Sequence, residues 1–255
     1  MIYGKLPVIF LSTLASEKNH STNSIIASYI LEHREDVKNM GIKDLARECH
    51  VAMSSISRFC KEIGLRDFTE LRELLLFNDM YFEEQSQSLS LHQRIEDYSQ
   101  KVYESIQMVK NTIDEKQIIK LCQDIKNYQR VAIFGLLKAG SVAINLQGDF
   151  LMLNKQIYTN ISYPQQIEYI LNTDDKDLII ILSYTGAYFD YEDLRANYKK
   201  LKAPKIWMIS SQQKTYPDFV NEVLSFESLQ DQSSHPYQLQ FIASIIAQEY
   251  AKRYK

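Results

Sequence analysis

Serine hydroxyls and two cations recur between positions 54 and 61, in a segment whose apolar residues step by three and four. That spacing predicts a helix from about Ala52 to Ile63 with one buried face. The buried positions are Ile56, Phe59, Cys60 and Ile63. The side chains left outside, which can bind phosphates or base edges, are Ser54, Ser55, Ser57, Arg58 and Lys61. Composition alone fits either a helix that binds nucleic acid or an ordinary solvated helix face.

Glycine and hydroxyl residues follow two predicted strands in the C-terminal half. The strand RVAIFG ends at Gly135 before a helical segment, and the strand DLIIILS ends in Ser183, followed by Tyr184, Thr185 and Gly186 at another helix start. Backbone N–H groups and hydroxyls at a helix N-terminus bind anions. In a doubly wound sheet whose first strand lies beside its third, these two loops would meet at the ligand-binding switch point. Strand-to-helix turns also use Gly and Ser for structural reasons alone, so both interpretations stay open.

The elements that would position these two groups differ in kind. Up to position 80 the segments have helical periodicity, and the helices at 42–49 and 52–63 are joined by a short turn, as in a helix-turn-helix. Residues 81–90 are acidic and rich in Ser and Gln, which predicts a linker. From 91 onwards a long helix precedes short apolar strands that alternate with helices, which predicts an α/β domain over 91–255.

Composition limits the function classes. Three cysteines in 255 residues are too few for a disulfide framework or a clustered zinc site, so we expect no metal and a reducing, cytoplasmic setting. The net charge is −3, so nucleic acid would have to bind a local patch. Residues 38–66 form such a patch, with six bases, among them Lys43 and Arg47, against three acids. No apolar run approaches the roughly twenty residues of a membrane span, so we expect no membrane partner.

Residues 42–75, IKDLARECHVAMSSISRFCKEIGLRDFTELRELL, resemble the N-terminal domain of the RpiR family of bacterial transcription regulators. The most specific part is the Arg58-Phe59-Cys60-Lys61 run, with Leu45-Ala46 before it and Gly64-Leu65 after it. The resemblance implies that the second helix of the pair binds double-stranded operator DNA. The DNA-binding residues we expect are Lys43, Arg47, Ser54, Ser55, Ser57, Arg58 and Lys61.

One position departs from that family at the start of the recognition helix. Ala52 stands where the family usually has a serine that caps the helix. Loss of such a cap costs roughly 1 kcal/mol. We therefore expect Ser54 or Ser55 to act as the cap and to shift the helix start by a residue or two.

Residues 131–157 resemble the sugar isomerase (SIS) domain that follows the helical domain in RpiR-type regulators, and Ser183 to Gly186 match its Ser-rich phosphate loop. The resemblance implies a doubly wound, mainly parallel five-stranded sheet and a phosphosugar-like effector. It also implies a domain that senses the sugar without chemistry, so we expect no catalytic residues and no cofactor. The expected ligand-binding residues are Gly135, Lys138, Ser141, Ser183, Thr185, Gly186 and Tyr188.

The same loops depart from the SIS pattern. The family's first loop reads Gly-x-Gly-x-Ser, and here Leu137 replaces the second glycine and Ala139 the serine. A leucine where φ must be positive would be strained. In the second loop Tyr188 replaces the usual threonine, and near the C-terminus Gln240 and Gln248 replace the usual Arg and Asp. The departures favour an altered pocket, with a changed ligand or none.

Three functions therefore remain to be weighed. The first is a homodimeric or higher-order regulator, held together by the apolar stripe from Leu91 to Ile113 and by a last helix with Leu239, Phe241, Ile242, Ile245 and Ile246. The second is a phosphosugar isomerase that uses His235 as its base together with Glu249. For a loop histidine before Pro236, however, a structural role is favoured over a catalytic one. The third is a regulator whose SIS-like domain dimerises without a ligand. The resemblance favours the first.

Overall fold

The computed structural model describes residues 5–76, 88–190, 204–212, 214–231 and 233–255. The expected domain end at 80 and most of the expected linker at 81–90 lie outside these residues. None of the helices in this described part combines the length and the hydrophobicity that a membrane span needs. The N-terminal domain contains six helices in its described part: α1 (Lys5–Ser16), α2 (Thr22–Glu32), α3 (Arg34–Val37), α4 (Ile42–Glu48), α5 (Met53–Glu62) and α6 (Phe68–Leu76).

The predicted helix pair is confirmed as α4 and α5. The turn between them is closed by the Val51 amide, which donates to the carbonyl of Ala46 (2.9 Å). The expectation for the helix start is wrong, because α5 begins at Met53 with Ala52 as its N-cap and no side-chain capping bond. Ala52 has an extended backbone (φ −73°, ψ 149°), so the turn sets the helix start without a cap hydroxyl.

The C-terminal domain alternates helices and strands as predicted. Its described elements are α7 (Leu91–Thr112), α8 (Glu115–Asn127), β1 (Arg130–Gly135), α9 (Lys138–Met152), α10 (Tyr163–Leu171), β2 (Asp177–Leu182), β3 (Lys205–Ser210), β4 (Glu222–Ser225) and α11 (His235–Tyr254).

The sheet is parallel throughout, in the order β1-β2-β3-β4. The expectation of five strands is wrong for the described residues, which form four. At the free edge of β1 the chain makes a single bridge, between Tyr158 and Ala132. A segment that contributes one bridging residue satisfies two backbone groups of β1 and then leaves the edge.

Alternate residues of each strand enter different cores, as a sheet covered on both faces requires. One core contains Val131, Ile133 and Trp207 and is covered by α8, α9 and α11. The other contains Ala132 and Phe134, is covered by α10, and forms one continuous apolar cluster with the core of the N-terminal helices. The described part of the chain therefore has the doubly wound arrangement, with the helical domain packed on one side of it.

Candidate functional site

Helix α5 separates its side chains as the sequence predicts. Ile56, Phe59 and Cys60 are buried, and Phe59 stacks on Phe10 of α1 with the ring centroids 6.0 Å apart. Of the expected DNA-binding residues on α5, those that are exposed are Ser54, Arg58 and Lys61, and those that are half-buried are Ser55 and Ser57. The helix thus presents hydroxyl and cationic groups on the side away from the core.

The other two expected DNA-binding residues are cations of α4, the first helix of the pair. Lys43 and Arg47 are both exposed, and Arg47 pairs with Asp44 (3.1 Å) and Glu48 (3.3 Å). Within the described residues, no carboxylate lies within 4.0 Å of the Lys43 or Lys61 ammonium groups. Exposed pairs such as those of Arg47 contribute little energy, so the guanidinium can exchange a carboxylate for a phosphate. All seven expected DNA-binding residues therefore belong to one helix-turn-helix unit.

The two predicted loops of the α/β domain lie side by side at the carboxyl ends of β1 and β2. Gly135 is the register partner of Leu182, so the first loop begins beside the residue that precedes Ser183. Gly135 is required sterically, because a Cβ there would meet the carbonyl carbon of Ala139 at 2.8 Å. The predicted meeting of the two loops at the switch point is thus present.

The first loop has the strained backbone that its departure from the glycine pattern predicts. Leu137 is the N-cap of α9 with φ 48° and ψ −114°, a region that glycine enters readily and leucine does not. Lys138 and Ser141 follow it on the first turn of α9, and both are exposed. The Ser141 hydroxyl donates to the Leu137 carbonyl (3.4 Å). The first turn therefore offers a cation and a hydroxyl beside an unusual turn.

The second loop turns tightly at its glycine. Gly186 has φ 65°, and its amide donates to the Ser183 carbonyl (2.8 Å). The Tyr216 hydroxyl approaches so closely that a Cβ on Gly186 would lie 2.5 Å from it. Ser183 and Thr185 are half-buried at the rim of this turn. The positive φ and the nearby Tyr216 hydroxyl together favour glycine at this position.

Tyr188 lies apart from the rim. It is buried, and its hydroxyl donates to Oε1 of Gln166 on α10 (2.7 Å). Gln166 is fully buried, and sequence reasoning missed it. The available signal was a glutamine on the apolar face of a short helix, beside Tyr163, Ile167 and Ile170. A buried amide on an apolar face requires partners, and here the partners are the loops.

A third loop, after β3, also reaches this edge and was not predicted. The hydroxyl of Ser211 donates to the Tyr184 carbonyl (2.7 Å), and the Ser210 hydroxyl donates to the same oxygen (3.3 Å). The Tyr184 hydroxyl in turn hydrogen bonds to Ser228 after β4. The strand-end site, which we define as the loops 135–141, 183–188 and 210–212, is therefore rich in hydroxyl groups.

The residues of the isomerase hypothesis are not brought together. His235 is buried at the start of α11 and packs on the Tyr184 ring, with the centroids 4.6 Å apart. Glu249 lies fourteen residues further along the same helix, about 21 Å at 1.5 Å per residue, and pairs with Arg253. The two side chains cannot act on one substrate carbon.

The cysteine thiols have the character of core residues. Burial raises the pKa of Cys60 to about 12, that of Cys122 to about 12 and that of Cys49 to about 11. Each thiol is therefore protonated at neutral pH and weakly nucleophilic. Among the described residues, no cluster of His, Cys, Asp and Glu has the arrangement of a metal site.

A cleft of about 490 Å³ lies at the amino end of β1, away from the strand-end site. Arg130 lines it, but its guanidinium is already bound to Asp177 (2.8 Å) and Asp174 (2.6 Å). The Arg130 guanidinium is therefore not available to bind an anionic ligand in this cleft.

Comparison with known proteins agrees with this architecture. Residues 10–78 match the family described as helix-turn-helix domain, rpiR family. The chain is similar to the HTH-type transcriptional regulator GlvR of Bacillus subtilis, with 28% identity over 165 residues, 63% of this chain and 60% of GlvR. Across the first relatives matched, the chain spans 59 to 67% of their own lengths.

Solved structures share the fold over most of the chain. The Vibrio vulnificus NanR protein complexed with ManNAc-6P has a TM-score of 0.54 at 16% identity, covering 98% of this chain and 92% of that one. The sugar isomerase domain of an RpiR transcription factor from Sphaerobacter thermophilus has a TM-score of 0.52 at 16% identity, covering 63% of this chain and 91% of that one. Other chains with this fold are titled as sugar-phosphate or phosphoheptose isomerases. Residues 10–78 of this chain therefore match the helix-turn-helix domain described for the rpiR family, and the α/β domain that follows shares the fold of sugar isomerase domains.

Proposed function

We propose that this protein is a cytoplasmic transcription regulator that binds operator DNA through α5 and changes its DNA affinity when a phosphosugar or related anionic metabolite binds the strand-end site. The observation that carries the proposal is the exposed hydroxyl and cationic face of α5 in an rpiR-family helix-turn-helix. A second helix of this kind enters the major groove, where Arg and Ser side chains meet base edges and Lys meets phosphates.

A gel-shift titration on the promoter of its own operon tests the DNA-binding half. We expect a complex that prefers this fragment to a scrambled one and that weakens steeply as salt rises, because released counterions drive phosphate contacts. Absence of any salt-sensitive, sequence-preferring complex, with or without phosphosugars, would refute this half of the proposal.

Two features support an anionic ligand at the strand-end site. Lys138 supplies a positive charge on the first turn of α9, where the helix N-terminus also favours negative charge. Hydroxyls of Ser141, Ser183 and Thr185 lie on the rim of the same edge, and the NanR structure titled with ManNAc-6P has this fold. Such a mixture of one cation, hydroxyls and backbone amides suits a phosphate group.

A thermal-shift screen of phosphosugars tests the ligand half. A ligand at a hundred times its dissociation constant stabilises the folded state by about 2.7 kcal/mol, which is readily measured. Ser183→Ala or Thr185→Val should abolish the shift, whereas Ser16→Ala, on a distant helix, should retain it. If the whole panel leaves the melting temperature unchanged, the α/β domain acts without a sugar ligand, as the Leu137 and Ala139 departures would permit.

Dimerisation would come from α7 rather than from the last helix. Of the α7 stripe, Val109 is buried in the domain core, whereas Leu91 is 65% and Ile95 55% exposed. In α11, by contrast, Leu239, Ile242 and Ile246 pack inside their own domain. A second copy that covers the first half of α7 would bury the exposed apolar side chains and present two recognition helices.

The relatives' names favour a regulator over an enzyme, and the separation of His235 from Glu249 agrees with them. An isomerisation assay on the same phosphosugar panel, with His235→Ala as a control, tests this choice. We expect no turnover by either protein.

A further inference from the structure

Helix α1 of the N-terminal domain contacts the α/β domain at the first turn of α10. Ser12 is buried there, and its Oγ donates to the Ile161 carbonyl (2.5 Å) and accepts from the Tyr163 amide (3.1 Å). Ser162, the N-cap residue of α10, makes no side-chain capping bond of its own. A hydroxyl from another domain therefore supplies the acceptor that the first turn of α10 needs.

The same helix is tied to the strand-end site by one amide. Nε2 of Gln166 donates to the carbonyls of Gly135 (2.9 Å) and Asn160 (2.6 Å), and Oε1 accepts from the Tyr188 hydroxyl (2.7 Å). Gly135 begins the first loop of the site and Tyr188 ends the second. Because a buried amide without partners is costly, a shift of either loop has to be accommodated at Gln166.

Helix α1 also contacts the recognition helix. Phe10, one turn or less from Ser12, stacks on Phe59 of α5 with an angle of 22° between the rings. Both rings are fully buried in the apolar cluster that joins the helical domain to the sheet. Close-packed side chains of this kind transmit displacement and do not absorb it.

We propose that α10 is the coupling element between the two domains, with Ser12 as the interdomain cap and Gln166 as the positioning residue on the loop side. A ligand that displaces Gly135 or Tyr188 would shift α10. This shift would in turn change the positions of α1 and α5. Coupling between two sites is reciprocal, so a change at either end must alter the other. The biological meaning of this inference rests on the proposed function, but its test needs neither DNA nor a ligand.

Hydrogen–deuterium exchange of the full chain tests the coupling. Gln166→Leu, which removes all three hydrogen bonds of this amide, should speed exchange in α1 and α5 by at least about fivefold, the factor for one lost hydrogen bond. The matched control is Gln165→Leu, an exposed neighbour of the same type on the same helix, and it should leave α1 and α5 unchanged. Acceleration confined to the α/β domain would overturn the coupling.

The reverse perturbation keeps the test valid if Gln166→Leu fails to fold. Ser12→Ala should speed exchange at the first turn of α10 and in the loop 135–141. Ser16→Ala should not, because the Ser16 hydroxyl donates to the Thr13 carbonyl of its own helix. An effect of Ser12→Ala restricted to α1 also overturns the proposal. DNA binding reports separately, since a chain that binds no operator refutes the proposed function and leaves the exchange result standing.

Discussion

Arg58 and Lys61 share the exposed face of α5 but differ in their surroundings. The Arg58 guanidinium lies 3.6 Å from Glu62, whereas Lys61 extends into solvent without a carboxylate of the described residues at ion-pair distance. Arginine presents a planar fork of donors that matches a guanine edge, and lysine acts as a point charge. We therefore propose that Arg58 contacts a base and that Lys61 contacts a phosphate.

Alanine substitutions separate these two roles. Arg58→Ala should cost about 1–3 kcal/mol and relax sequence preference, whereas Lys61→Ala should weaken all DNA equally and reduce the salt slope by about one. Fluorescence anisotropy over a range of salt concentrations measures both effects. Lys116→Ala, an exposed cation on α8, serves as the control for net charge. Wild-type affinity in both α5 variants would remove α5 from the interface.

The backbone of Leu137 is strained in the first loop, because its φ is 48°. At an ordinary helix-forming position alanine is favoured over glycine by about 0.5–1 kcal/mol. Here the order should reverse, with Leu137→Gly about 1 kcal/mol more stable to unfolding than Leu137→Ala. Both variants lose the same side chain, so the comparison isolates the backbone. Urea denaturation measures the difference, and greater stability of the alanine variant would mean that the loop is not strained.

At the scale of elements, helices and buried strands could be predicted from periodicity, whereas the number of strands could not. The residues of β1 and β2 form near-continuous apolar runs, a signal that short parallel strands give clearly. Tyr158 bridges to Ala132 through one residue, and a single bridge leaves no pattern in sequence. The expectation that Ser54 or Ser55 caps α5 is wrong for a related reason. The tertiary turn makes Ala52 the N-cap and overrides the local preference for a serine.

The uncapped start of α5 gives a prediction about stability. The N-cap Ala52 already has the extended backbone that a capping serine uses, but it has no oxygen to accept from the first turn. Ala52→Ser should therefore raise the free energy of unfolding by about 1 kcal/mol. Ala52→Val, which adds side-chain atoms without an acceptor, should not stabilise the protein. Thermal or urea unfolding checks this, and an unchanged serine variant would show that the first-turn amides are satisfied by solvent.

At the scale of the whole molecule, the sequence predicts which segments form the two candidate sites but not how these segments are connected. Gly135, Ser183 and Gly186 follow strands, so their meeting at one sheet edge follows from parallel topology. Ser12 and Gln166 act across 149 and 31 residues of chain, and contacts of that range depend on the final packing. The tight cluster around Gln166 also explains why Tyr188, expected at the ligand, lies behind the loop.

The exposed apolar side chains of α7 lead to a prediction about the oligomeric state of the whole molecule. If a second copy covers the exposed stripe, the protein should sediment as a dimer, with recognition helices spaced for half-sites about 34 Å apart. Ile95→Glu should shift the population to monomer while its helical content is kept, because a buried unpaired charge is costly at an interface. Gln100→Glu, on a different side of α7, is the matched control for added charge. A wild-type monomer at micromolar concentration would contradict the dimer.

Binding of operator DNA by the exposed face of α5 is the central claim, and a salt-dependent titration tests it most directly. The full chain would be titrated onto a labelled promoter fragment of its own operon and onto a scrambled fragment of equal length. The account predicts tighter binding to the promoter fragment, a linear fall of log affinity with log salt, and loss of the preference in Arg58→Ala. Equal affinity for both fragments at every salt concentration would contradict it.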